Sequence, residues 1–277
     1  MDQFRSPMTP HKITPPVPVR RRTSPLQAEL VADIHHQMNE LAPRTPWSKF
    51  KGEFWHWQQG QHVAAIGPTE SGKTSLILAL LADRKYVTAF GTKPRDLVLD
   101  QFARKHNYEF MTEWKNLDAT KVPRRMLWPD ARDLYSVKNQ RRQFTLAFER
   151  IYREGNWTLY LDELWFIAKM LKLEYEVKMY LLQARANGIS LVVATQRPAW
   201  VPLEVYDNST WVFFWRDNDE TNLKRISGIS WLSKNLVQMI VARLERYEAL
   251  AINVRTGKMV RTMAPDPGVP RVAGRQS

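Results

Sequence analysis

The stretch Gly67-Pro68-Thr69-Glu70-Ser71-Gly72-Lys73-Thr74 matches the pattern GxxxxGK[ST], and it lies between an apolar run, His62–Ile66, and a helical period that begins at Lys73. A loop of this kind works only when a buried strand and a helix hold its two ends, so the match constrains the fold as well as the chemistry. Glycines let the backbone wrap closely around phosphates, whose charge is met by amide N–H groups and by the helix N-terminus. The pattern assigns Gly67 through Thr74, with Ser75 after it, to binding the phosphates of ATP. Lys73 bridges the β- and γ-phosphates, and the Thr74 hydroxyl ligates Mg²⁺.

From residue 62 onward, short β-type runs alternate with helical periods, which predicts an α/β fold with a mostly parallel central sheet flanked by helices. The expected strands are His62–Ile66, Tyr86–Phe90, Arg125–Trp128, Thr158–Leu161, Ile189–Thr195, Trp211–Trp215 and Tyr247–Val254, the last forming a hairpin with Met259–Met263. The expected helices are Lys73–Asp83, Pro94–His106, Leu134–Glu154, Glu163–Leu173, Glu174–Asn187, Asp219–Ile226 and Trp231–Arg243.

A phosphate cradle needs a second magnesium group and something to orient the attacking water. Thr158-Leu159-Tyr160-Leu161-Asp162-Glu163 supplies both, as a buried strand ending in adjacent carboxylates. Neighbours on a strand point to opposite sides, so Asp162 can face the metal while Glu163 polarises a water in line with the γ-phosphate. Such a pair also closes many strands without function, and the phosphate loop upstream is what favours the chemical reading. Gln196 ends the apolar run Ile189–Thr195, at the strand edge where ligands bind in open α/β sheets, and can contact the γ-phosphate or the water. Lys93 follows the second strand at the same edge, as an auxiliary site residue or simply a lysine at a helix entry.

The segment Ala184 to Pro198, ending Thr195-Gln196-Arg197-Pro198, together with the phosphate loop and the Asp-Glu strand in this order, resembles the FtsK/HerA superfamily of DNA-pumping ATPases. The resemblance covers about residues 60–255. It implies a RecA-like P-loop NTPase domain, a homo-oligomeric ring, most often a hexamer, and double-stranded DNA in a central channel. It also implies that each ATP sits at a subunit interface, where a neighbour's arginine stabilises charge at the γ-phosphate. Arg185 matches a recurrent family arginine and is the first candidate for that role, with Arg216 second; the alternative for Arg185 is an ordinary solvated helix residue. Glu70 departs from the family pattern, which more often has glycine there.

Composition narrows the rest. The chain has 277 residues and no cysteine, which excludes disulfides, thiolate metal sites and cysteine nucleophiles. Its apolar runs stop far short of a spanning helix, so no membrane anchor is expected, and the N-terminal residues lack a signal peptide's apolar stretch. The expected location is the cytoplasm or, if the protein is viral, the host cytoplasm or association with the virion. Residues 1–24 form an expected flexible, basic, Pro-rich arm, 25–48 a short helix and linker, 49–263 the ATPase domain and 264–277 a flexible tail.

Of the net charge of +13, the arm holds +4 and the tail +1, which leaves +8 on residues 25–263 and suggests a polyanionic partner. Residues 104–153 hold twelve basic and six acidic side chains, including the groups Lys121, Arg124, Arg125 and Lys138, Arg141, Arg142. These make a candidate DNA-facing or subunit surface, or a solvated helix face, and no base-reading motif accompanies them. Trp55-His56-Trp57, before the first strand, are candidates for stacking on adenine.

A bare ATPase without membrane helices, winged-helix module or nuclease domain looks most like a motor that packages a viral genome into a preformed capsid, with a portal or capsid-vertex protein as a further partner. The alternatives are a DNA-transfer ATPase of a mobile element and an NTP-dependent assembly or secretion factor of phage morphogenesis.

Overall fold

The computed structural model describes residues 33, 34, 36–196, 201–226 and 234–265. The arm 1–24, Arg197, Pro198, Trp231 and the tail from residue 266 lie outside the described residues. The chain divides into two units, 1–37 and 38–277. In the first, residues 33, 34, 36 and 37 are helical.

The second unit is built on a nine-stranded sheet. Its strands are β1 (His62–Ile66), β2 (Val87–Phe90), β3 (Glu109–Met111), β4 (Arg124–Leu127), β5 (Thr158–Leu161), β6 (Ser190–Thr195), β7 (Ser209–Trp215), β8 (Glu248–Asn253) and β9 (Met259–Met263). The order is β3-β4-β2-β5-β6-β1-β7-β8-β9. The first seven positions in that order are parallel, and β8 and β9 add antiparallel strands beyond β7. The expected α/β architecture is therefore present.

Strands β1, β2, β5, β6 and β7 are buried at every residue, as a parallel sheet covered on both faces requires. The principal helices are α1 (Lys73–Leu81), α2 (Leu97–Lys105), α3 (Val137–Glu154), α4 (Glu174–Gln183), α5 (Leu203–Asn208), α6 (Glu220–Ile226) and α7 (Lys234–Arg243). On one face Leu76, Leu80, Leu99 and Ala103 from α1 and α2 share a core with Val63, Tyr160, Val192 and Phe213. On the other, Phe144 of α3 stacks on Phe90 at 4.3 Å between ring centroids, and Tyr180 of α4 meets Phe148 edge-on at 5.0 Å.

Several details differ from the sequence reading, among them the short helix α5, which was not anticipated. The edge strand β3 was not anticipated, because three residues with an exposed glutamate carry too little hydrophobic signal. The stretch after β5 is a π-helical turn, Phe166–Met170, rather than an α-helix through Leu173, and α4 tightens into a 3₁₀ turn over Ala184–Asn187.

Arg124 and Arg125 also do not form a surface. Arg125 is fully buried and stacks on Trp157, 4.4 Å from the ring centroid. Arg124 donates to the Ala82, Arg84 and His106 carbonyls. Both side chains satisfy backbone groups inside the fold.

The β9 edge is capped by an incoming segment: Thr45 N–H donates to the Arg261 carbonyl at 2.8 Å, and Arg261 N–H to the Pro43 carbonyl at 3.0 Å. Arg261 Nε also donates to the Ala42 carbonyl, and the buried Glu248 carboxylate lies 3.3 Å from Arg44 Nε.

Candidate active site

The Gly67–Thr74 loop leaves the carboxyl edge of β1 and enters α1. Its first turn is fixed by Gly67 N–H donating to the Thr195 carbonyl at 3.2 Å. Glycine is required at Gly67 because a Cβ would stand 2.9 Å from Trp215 Cβ on the neighbouring strand. It is required at Gly72 because φ is +101°. Glu70 also has a positive φ, 59°, and is exposed. That conformation explains why glycine suits the position, and exposure keeps the carboxylate outside the loop.

Lys73, at the start of α1, folds back over the loop. Its Nζ donates to the Gly67 and Pro68 carbonyls at 2.7 and 2.6 Å. Burial lowers its pKa to about 8, against the opposing pull of Glu163 and Asp162.

Asp162, just past β5, is nearly fully buried, and both of its oxygens are held. Oδ2 accepts from Lys93 Nζ at 2.9 Å and Oδ1 from the Tyr160 hydroxyl at 2.7 Å. The Thr74 side chain lies near the same phenol, so Tyr160 stands between Thr74 and Asp162. A hydroxyl and a carboxylate brought together in this way are the hard oxygen donors that a magnesium ion takes.

Lys93 also reaches Asp96 Oδ2 at 3.2 Å, and Asp96 in turn caps α2 through Leu99 N–H. Burial alone would lower the pKa of Lys93, but Asp162 and Asp96 together raise it. Lys93 is thus both a helix-entry lysine and a member of the site.

Glu163 is held apart from this group by Gln196, whose Nε2 donates to Glu163 Oε2 at 2.9 Å. Gln196 Oε1 accepts from the Thr69 hydroxyl at 2.8 Å. An unbroken chain of hydrogen bonds therefore runs from the phosphate loop to the carboxylate. Burial, and then the neighbouring Asp162 charge, raise the Glu163 pKa, while Lys73 and Lys93 oppose the rise. A carboxyl group raised in this way is a stronger base than an exposed one.

The loop, Asp162, Glu163 and Gln196 thus meet at one sheet edge, but Arg185 does not join them. It is exposed in the turn before β6, and Gly60, ahead of β1, packs on its carbonyl. The six residues of β6 separate Arg185 from Gln196, about 20 Å at 3.3 Å per residue. Arg216 is exposed immediately after β7, at the same edge as the loop.

Trp55 packs on Trp211 and Phe213, with ring centroids at 5.2 and 5.7 Å, and Trp57 stacks under Arg84. These tryptophans belong to the core near the amino ends of the strands, away from the phosphate loop. The sequence reading missed Tyr160, although its spacing of two from Asp162 puts both side chains on the same face. It also missed Asp96, whose position ahead of an apolar helical period is a capping signal.

Compared with solved structures, the chain is similar to the genome packaging NTPase B204 of Sulfolobus turreted icosahedral virus 2 in complex with AMPPCP. The TM-score is 0.54 at 18% identity, over 73% of this chain and 97% of that one. The fold is that of a P-loop NTPase. The DNA-packaging ATPase B204 of Sulfolobus Turreted Icosahedral Virus gives a TM-score of 0.51 at 18% identity, over 76% of this chain and all 100% of that one. EssC (ATPases 2 and 3) of Geobacillus thermodenitrificans gives 0.51 at 10% identity, over 79% of this chain and 42% of that one. No family model and no curated protein matches the sequence. Among the described residues, no helix is long and apolar enough to cross a membrane.

Proposed function

We propose that the chain is an ATP-hydrolysing motor that translocates double-stranded DNA, packaging a viral genome into a preformed capsid. The observation that carries this reading is the Thr69–Gln196–Glu163 chain, which ties the loop that holds phosphates to the carboxylate that activates water. The phosphates of ATP lie in the Gly67–Ser75 loop, and Lys73 exchanges its loop carbonyls for the β- and γ-phosphate oxygens. Thr74 and Asp162 would hold Mg²⁺, which would supply positive charge to offset that of the phosphates. Glu163 takes the proton of the attacking water on Oε1, since Gln196 already occupies Oε2. Tyr160 and Lys93 keep Asp162 oriented.

The likeness to packaging NTPases favours DNA as the substrate that is moved, and the positive charge of the folded region agrees with it. A ring, in the simplest case a hexamer, brings one subunit's Arg185 or Arg216 to the next subunit's γ-phosphate. A portal or capsid-vertex protein completes the assembly in the host cytoplasm or at the virion.

The test is steady-state ATP hydrolysis with and without linear double-stranded DNA over a salt series. Stimulation that fades as salt rises is the expected result. Robust hydrolysis indifferent to DNA refutes the DNA-motor reading.

A further inference from the structure

The outward stripe of α3 is divided by charge. Its buried side comprises Gln140, Gln143, Phe144, Ala147, Phe148 and Ile151. Lys138, Arg141, Arg142, Glu149, Arg150 and Arg153 are exposed on the other side. In the last turns each cation meets a carboxylate one turn away: Arg150 Nε lies 2.7 Å from Glu154 Oε1, and Arg153 Nη2 lies 2.5 Å from Glu149 Oε1. In the first turns Lys138, Arg141 and Arg142 have no ion pair among the described residues, and residues 134–148 contain no Asp or Glu.

These three cations also stand at the unfavourable end of their own helix. A helix N-terminus carries partial positive charge, which attracts carboxylates and repels cations. The first turn of α3 has no acid and Ser136 makes no side-chain cap; the nearest carboxylate in sequence, Asp133, caps the 3₁₀ turn Leu134–Ser136 through Tyr135 N–H and pairs with none of the three cations. Cations left unpaired at this end of a helix are charge available to a partner. A fourth cation lies alongside: Trp114 N–H donates to Gln143 Oε1 at 2.8 Å, which sets the exposed Lys115 beside the same turns.

We propose that the outer face of the first two turns of α3, formed by Lys138, Arg141 and Arg142 with Lys115 beside them, grips the phosphate backbone of a DNA duplex. This deepens the DNA-motor reading and rests on it. The three helix cations lie within about 6 Å along the helix axis, and one strand of a duplex presents a phosphate about every 3.4 Å of its length, so three consecutive phosphates span about 7 Å, within reach of three long side chains. One backbone crossing the stripe therefore meets all three. No carboxylate lies between the three, and the exposed Tyr135 and Leu146 stand one turn before and one turn after them; what the cations themselves recognise is a line of charge, and that contact is indifferent to base sequence.

The experiment measures affinity of the full chain for a linear duplex of mixed sequence across a salt series, using the triple variant Lys138→Gln/Arg141→Gln/Arg142→Gln. The slope of log affinity against log salt is expected to shrink by about 2.7, from about 0.9 per lost phosphate contact. The control variant Arg150→Gln/Arg153→Gln is expected to keep the wild-type slope. Thermal unfolding checks the fold of the triple variant, which is expected to melt no lower than wild type because the repelled charges are gone.

An unchanged slope in the triple variant, with wild type binding normally, overturns the proposal and leaves the DNA-motor reading standing. Loss of ring assembly with duplex affinity intact assigns the stripe to a neighbouring subunit and equally overturns it. Wild-type protein that binds no duplex at any salt refutes the DNA-motor reading, and the proposal falls with it.

Discussion

Tyr160 and Asp162 lie two residues apart at the end of one strand and point to the same side, and the Tyr160 hydroxyl donates to Asp162 Oδ1 at 2.7 Å. The phenol is fully buried, and its pKa is raised by burial and then by the Asp162 charge, so it remains a donor at any physiological pH. Replacing Tyr160 by Phe leaves a buried carboxylate oxygen without its partner. The expected cost is about 1.5–3 kcal/mol of stability, read by chemical denaturation. Nucleotide binding by the variant is also expected to need more Mg²⁺ for half-saturation. Unchanged stability together with an unchanged Mg²⁺ requirement argues that the phenol orients nothing.

Glu163→Gln keeps the shape and the Gln196 contact but removes the base. ATP binding is expected to persist while turnover falls by about 10²- to 10⁴-fold. Wild-type turnover in this variant would falsify the assigned role.

The site titrates from both sides. Lys73 acts as a cation, so its active form is lost as pH rises. With its pKa lowered by burial to about 8, kcat/KM for ATP is expected to decline as pH passes upward through that value. In its proposed role as a base, Glu163 loses its active form as pH falls. Its pKa is raised by burial and by Asp162, which moves the acid limb above the ordinary glutamate range. The pH profile of kcat/KM, which reports free-enzyme groups, is expected to be a bell narrowed from both sides. A flat profile up to pH 10 contradicts the Lys73 assignment.

Glu70 holds a left-handed backbone conformation, with φ of 59°. Glu70→Gly removes strain worth about 1 kcal/mol, a gain partly offset by the greater freedom of glycine in the unfolded chain. A higher denaturation midpoint with an unchanged m-value is the expected result. A lower midpoint indicates that the carboxylate makes a stabilising contact.

The strands β1, β5, β6 and β7 were legible because continuous apolar runs between turn residues are what a doubly covered sheet imposes on sequence, and β9 because the turn residues Thr256 and Gly257 mark it as the second arm of a hairpin. The phosphate loop, Asp162, Glu163 and Gln196 were legible because each closes such a run at the carboxyl edge. Less was visible where contacts join residues far apart in the chain. Arg125 read as a surface cation, and only the tertiary placement of Trp157 and the Leu117 carbonyl shows why it is buried. Tyr160 read as core, although its ring is core and its hydroxyl belongs to the site. Whether a cation faces solvent or carbonyl oxygens depends on neighbours that periodicity does not name.

On the proposed reading, the position of Arg185 gives turnover a dependence on mass action. An arginine on the far edge of the sheet from its own phosphate loop can serve only the molecule next door, so a lone subunit would lack one of its own reagents. Specific activity is then expected to fall on dilution below the dissociation constant of the assembly and to recover on concentration. A motor of the proposed kind would consume no fuel until it has been put together.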